Sequence, residues 1–119
     1  MADESPWVRS HREWRARLLD YVNGKSKERL NAATVGRDDA CELGQWILAE
    51  RATQARGGTF AALMAKHTEF HRLAAQIVHA KNSGRREDAM RMLAPGSAFF
   101  RASNDVIAAI EAFERREAA

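Results

Sequence analysis

The sequence predicts an all-α fold, a helical bundle of four main helices plus one short extra helix. Three observations carry this. Ala, Leu, Arg and Glu dominate a chain of 119 residues, and all four favour helix. Apolar residues recur at helical spacing along most of the length. No strand-like alternation is present, and only two prolines, Pro6 and Pro95, occur.

The first helix is expected from Pro6 to Val22. Trp7, His11, Trp14, Leu18 and Tyr21 form one apolar stripe, with His11 inside it. Asn23-Gly24 ends it. Residues 25–36 read as a connection with room for a short helix. The second main helix is expected to start at Asp38 or Asp39, both of which suit an N-cap. It runs through Cys41-Glu42-Leu43-Gly44 and stops at Gly57-Gly58. Cys41 then lies in its first turn, and Cys41, Gly44, Ile47 and Leu48 share a face. The third helix, from about Thr59 to Asn82, carries Phe60, Leu63, His67, Phe70, His71, Ala74, Ile77 and Val78 on its stripe. Ser83-Gly84 closes it. A short helix follows from Arg86 to Leu93, before Pro95-Gly96. The last helix spans Ser97 to about Arg116, with Phe99, Ser103, Val106, Ile110 and Phe113 inward. Length and pattern give one domain over residues 1–119, with its core from about residue 7 to residue 113.

Composition narrows the function. Hydrophobic residues make up 45% of the chain, enough for a core that is only marginally stable at this size. A single cysteine forbids an intrachain disulfide and fits a reducing compartment. The N-terminal residues are polar and unlike a signal peptide, and no apolar run is long enough to span a membrane. Both features predict a cytoplasmic protein. The net charge is +3, but basic and acidic residues interleave, as on a solvated helix face. Arg85, Arg86 and Arg91 come nearest to a basic cluster, and Glu87 and Asp88 lie among them. No nucleic-acid partner is expected.

The chemistry concentrates at four positions. His67 and His71 are spaced i, i+4, roughly 40° apart and about 6 Å along the axis, so both can reach one ion. That pair alone suits two hydrogen-bonded core histidines equally well. His11 lies on a second apolar stripe, where an unpaired imidazole is costly to bury. Cys41 adds a sulfur, although a lone buried cysteine is often only a small hydrophobe. Three inward histidines and one inward cysteine match the ligand number of a tetrahedral zinc site, and mixed nitrogen and sulfur donors favour zinc over magnesium or calcium. His79 lies about 12 Å further along the helix than His71 and about 80° round it, so it is not expected to join. Glu-x-x-His, the di-iron carboxylate element, is missing, and so is His-Glu-x-x-His. A closed four-ligand site is structural or sensory. A zinc enzyme would need an open coordination position and a base, and the sequence shows neither.

The pieces His11-Arg12-Glu13-Trp14, Cys41-Glu42-Leu43-Gly44-Gln45-Trp46 and His67-Thr68-Glu69-Phe70-His71, in that order, resemble the chemoreceptor zinc-binding (CZB) domain. The most specific of them is Cys-x-Leu-Gly-x-Trp. The resemblance runs from about Trp7 to Phe113. It implies a helical bundle of bacterial cytoplasmic signalling, including chemotaxis, whose zinc is held at the positions of His11, Cys41, His67 and His71. It also implies a homodimer and a signalling-protein partner, because no output module fits within the chain. The inputs it implies are zinc level or hypochlorous acid. Cys41 would be the redox-sensitive ligand, since a metal-bound thiolate is the softest and most oxidisable donor of the set. A helix N-terminus favours that thiolate, and like charge on Asp38 and Asp39 opposes it.

Overall fold

The computed structural model describes residues 5–37, 39, 41–54 and 58–118, with the side chains of 51–54 and 116–118 left aside. It is all-α, with no strand among the described residues. Six helices follow in order: α1 Pro6–Val22, α2 Ala32–Val35, α3 Glu42–Gln54, α4 Gly58–Asn82, α5 Arg86–Leu93 and α6 Ala98–Ala118. Helices α1, α3, α4 and α6 are the four expected main helices, and α5 is the short one. Helix α2 fits the space left open between residues 25 and 36.

The helix ends follow local chemistry. Ser5 caps α1, its side chain accepting the Trp7 N–H, and Pro6 takes the first turn, where no N–H is needed. Asn31 caps α2, its Oδ1 accepting from Ala33 and Thr34. Gly24, Gly84 and Gly96 close the turns after α1, after α4 and before α6 with positive φ, a conformation that glycine adopts without strain. Arg86 also ties the end of α1 to the start of α5, because its Nε donates to the Val22 carbonyl at 3.0 Å.

Helix α4 is the central element. It packs along α6 and also touches α1, α2, α3 and α5. The core runs through Leu18 and Val22 of α1, Leu43 and Ile47 of α3, Phe60, Leu63, Phe70, Ile77 and Val78 of α4, and Phe99, Val106, Ile110 and Phe113 of α6. The inward stripe expected for α6 is buried throughout. Trp7, Trp46, Phe60 and Phe113 form an aromatic group in tilted and edge-on contacts, with neighbouring centroids 5.5–6.3 Å apart.

Four local expectations change. Cys41 immediately precedes α3 rather than lying in its first turn. Its carbonyl accepts the Gln45 N–H at 2.9 Å and its sulfur accepts the Gly44 N–H at 3.3 Å, which is N-cap geometry. Asp39, offered as the cap, is instead paired with Arg37, and Asp38 lies outside the described residues. Leu48 is 53% exposed: α3 packs on α4 and, through Trp46, on Trp7 and Phe113, and Leu48 lies off that packed side. Gly58 opens α4 rather than ending α3, which stops at Gln54, and Gly57 lies outside the described residues. The charge pattern behaves as expected for solvated faces. Arg85 and Arg91 both pair with Asp88, so the nearest approach to a basic cluster is internally compensated.

Candidate metal centre

Three separate stretches of chain meet at one point. His11 comes from the middle of α1, Cys41 from the cap of α3, and His67 and His71 from successive turns of α4. One ring nitrogen from each of His11, His67 and His71 lies within 4.8 Å of the others, and all three residues are buried. The Cys41 sulfur is 3.2 Å from His67 Nε2 and 3.5 Å from His71 Nε2. The two Nε2 atoms are 3.1 Å apart. The four residues singled out in the sequence therefore come together, and His79 stays exposed on the far part of α4.

The orientation of each ring has a local cause. Helix geometry places the Trp7 carbonyl one turn before His11, and His11 Nδ1–H donates to it at 3.0 Å. His71 Nδ1–H donates to the Val35 carbonyl at the end of α2, at 2.8 Å. With both Nδ1 atoms engaged, Nε2 is the lone-pair nitrogen of each ring. His11 Nε2 is fully buried and has no hydrogen-bond partner. Phe70 and His67 stand edge-on to the His11 ring at 5.2 and 5.4 Å, and Trp14 stands edge-on to His71 at 6.3 Å. These walls hold the rings.

Burial sets the protonation state. It pushes His67 down to about 3, with further lowering by the His71 and His11 charges. It also holds His11 below the ordinary histidine range, where the Trp7 carbonyl opposes the shift and His71 adds to it. Both imidazoles are neutral at physiological pH, which is the form that binds a metal.

The spacing of three of the four donors, Cys41, His67 and His71, suits a zinc ion. Bonds of about 2.0–2.1 Å to nitrogen and 2.3 Å to sulfur give a tetrahedron with edges of about 3.3 Å between nitrogens and about 3.6 Å between nitrogen and sulfur. The observed separations of 3.1, 3.2 and 3.5 Å lie at or slightly inside those edges. The orphaned His11 Nε2 is the atom such an ion would satisfy. Orientation of histidine ligands by backbone carbonyls is the expected outer shell of a zinc site.

Sequence reasoning missed that outer shell. The Trp7 carbonyl was accessible to it, because a helical histidine lies beside the carbonyl one turn back. The Val35 carbonyl was not, because backbone atoms leave no trace in a residue pattern and α2 is too short to show periodicity.

Fold and donors together define a small helical domain with a His/His/His/Cys cluster able to hold a metal ion. The sequence matches the family of chemoreceptor zinc-binding domains over residues 11–78. That match covers more than half of the chain and takes in all four donor residues. The chain belongs to the chemoreceptor zinc-binding domain family. No curated protein and no solved structure gives a significant match.

Proposed function

We propose that the chain is a zinc-binding sensory module of a cytoplasmic signalling protein, with His11, Cys41, His67 and His71 as the ligands of one Zn²⁺. The observation that carries this reading is the convergence of three buried imidazoles and one sulfur on a point where His11 Nε2 has no other partner. A bound zinc ion would supply a positive charge that joins these donors. The residues themselves do the rest. His11, Cys41 and the His67–His71 pair belong to three different elements, so occupancy couples α1, the cap of α3 and α4.

The same geometry bears on the input. The three histidines are buried, whereas Cys41 is only half-buried. A small oxidant therefore reaches the sulfur first, and an oxidised sulfur is a poorer ligand. We read Cys41 as the redox-sensitive donor and hypochlorous acid as a fitting input beside zinc level. A homodimer acting on a signalling partner in chemotaxis is the further reading that membership of this family suggests.

Elemental analysis of the purified chain tests the assignment. One zinc per chain is expected, with marked loss in His11→Ala, Cys41→Ala, His67→Ala and His71→Ala and none in His79→Ala. Full zinc retention by His11→Ala and His67→Ala together would overturn it. For the input, zinc release is followed with a chromogenic chelator during hypochlorous acid addition, while mass spectrometry locates the added oxygen. Zinc retained on a chain whose Cys41 is oxidised would leave zinc level as the input.

A further inference from the structure

A cleft of about 560 Å³ opens beside the donor cluster and reaches two of its members, Cys41 and His71. Its walls come from α1 and from the segment between α1 and α3, including Trp14 and three arginines, Arg17, Arg29 and Arg37. The Arg17 guanidinium lies over the Trp14 ring, 4.4 Å from its centroid, and is held there by paired hydrogen bonds to Glu28. Arg37 is paired with Asp39 at 3.1 Å. Arg29 is exposed and belongs to neither pair, so among the described residues the wall carries surplus positive charge. A second cleft reaches His67 and is edged by Asp39 and Glu69, with Ile47, Leu48 and Met64 on its apolar side.

We propose that the arginine-lined cleft is a vestibule that binds small anions of the carboxylate class and gives them preferential access to the Cys41 sulfur. A concave surface with low-dielectric walls focuses the field of its charges and raises the local concentration of the oppositely charged solute. Trp14, with Arg17 stacked on it, supplies one such wall. Arg29 supplies the uncompensated charge. Glu28 restrains the field by neutralising Arg17. The vestibule ranks thiol reagents by charge as well as by intrinsic reactivity.

Alkylation of the full chain with a matched pair of reagents, iodoacetate and iodoacetamide, tests this. In both reactions the thiolate displaces iodide and a sulfur–carbon bond forms. The reagents differ in charge and hardly in size, so their rate ratio cancels the intrinsic reactivity of the sulfur. The iodoacetate-to-iodoacetamide ratio should be higher in the native chain than in the urea-unfolded chain. Arg29→Gln should lower it about two- to sixfold, the effect of one unit charge about 4–10 Å away in a water-like dielectric. Glu28→Gln, which releases Arg17, should raise it. Added salt should bring the native ratio down toward the unfolded one. A native ratio no higher than the unfolded ratio would overturn the proposal, and so would a folded Arg29→Gln variant with the wild-type ratio. Should Arg29→Gln fail to fold, the Glu28→Gln variant and the salt dependence of the wild-type chain decide the matter. A ratio that neither of them moves counts against the vestibule.

Discussion

Replacing His11 with leucine should stabilise the metal-free chain and destabilise the zinc-loaded one. The inversion follows from one atom. His11 is fully buried, its Nδ1–H is satisfied by the Trp7 carbonyl, and its Nε2 has no partner. A buried polar atom without a partner costs about 1–3 kcal/mol. Leucine has a similar volume, can pack against Phe70 and removes that penalty. The Trp7 carbonyl loses little, because it still sits in the backbone ladder of α1. A gain of about 1 kcal/mol would raise Tm by roughly 3–6 °C for a domain of this size. With zinc in large excess the order reverses. A ligand at about 1,000 times its dissociation constant adds about 4 kcal/mol, and a three-donor site forfeits most of it. The assay is thermal unfolding by circular dichroism, with each protein measured once in chelator and once in zinc. A leucine variant that melts below wild type in chelator would refute the argument that His11 Nε2 is an orphan kept for a metal. A variant that gains as much from zinc as wild type would refute its role as a ligand.

Three further perturbations have expected outcomes. Because burial pushes His67 down to about 3 and holds His11 low as well, the unfolded chain binds protons that the native chain refuses. Metal-free stability should therefore fall as pH drops below the unfolded histidine value of about 6.5, by up to about 1.4 kcal/mol per pH unit for His67 with His11 acting in the same direction, and flatten above it. Urea midpoints measured from pH 8 to pH 5 test this, and a stability independent of pH over that range would contradict it. Gly36→Ala should weaken zinc binding by up to the roughly 10-fold that loss of an outer-shell partner costs. The new methyl would lie 3.0 Å from Ala75 Cβ and 3.2 Å from the Ala32 carbonyl, a crowding that displaces α2 slightly and with it the Val35 carbonyl that orients His71. Competition with a zinc chelator reads the affinity, and an unchanged value would show that Val35 does not set the ring. Cys41→Ser should keep the fold, since a hydroxyl can also accept the Gly44 N–H, but should bind zinc more weakly and release none in response to oxidant. Circular dichroism and chelator titration check both parts.

Much of the site was legible because it lies on regular helices. The bounds of α1 and α5, the inward stripe of α6 and the shared face of His67 and His71 all follow from a 3.6-residue period. His11 was legible because it interrupts an otherwise apolar stripe. What escaped was set by tertiary contact or by the backbone. Leu48 fits the α3 pattern yet is exposed, because a pattern names a face and not what covers it. Cys41 was placed within a turn of its true position, but its role as a cap depends on which side chain reaches the Gly44 N–H, and two aspartates nearby offered the more usual cap chemistry. The Val35 carbonyl and two of the vestibule arginines, Arg29 and Arg37, come from a segment without periodicity, and only folding brings them beside α4.

The central claim is that one zinc ion is held by three imidazoles and one thiolate. X-ray absorption at the zinc edge of the purified chain tests it most directly. The account predicts four-coordinate zinc with one sulfur at about 2.3 Å and three nitrogens at about 2.0–2.1 Å, and loss of the sulfur shell in Cys41→Ser. A shell of nitrogen and oxygen alone in the wild-type chain, or a sulfur shell that survives Cys41→Ser, would contradict it.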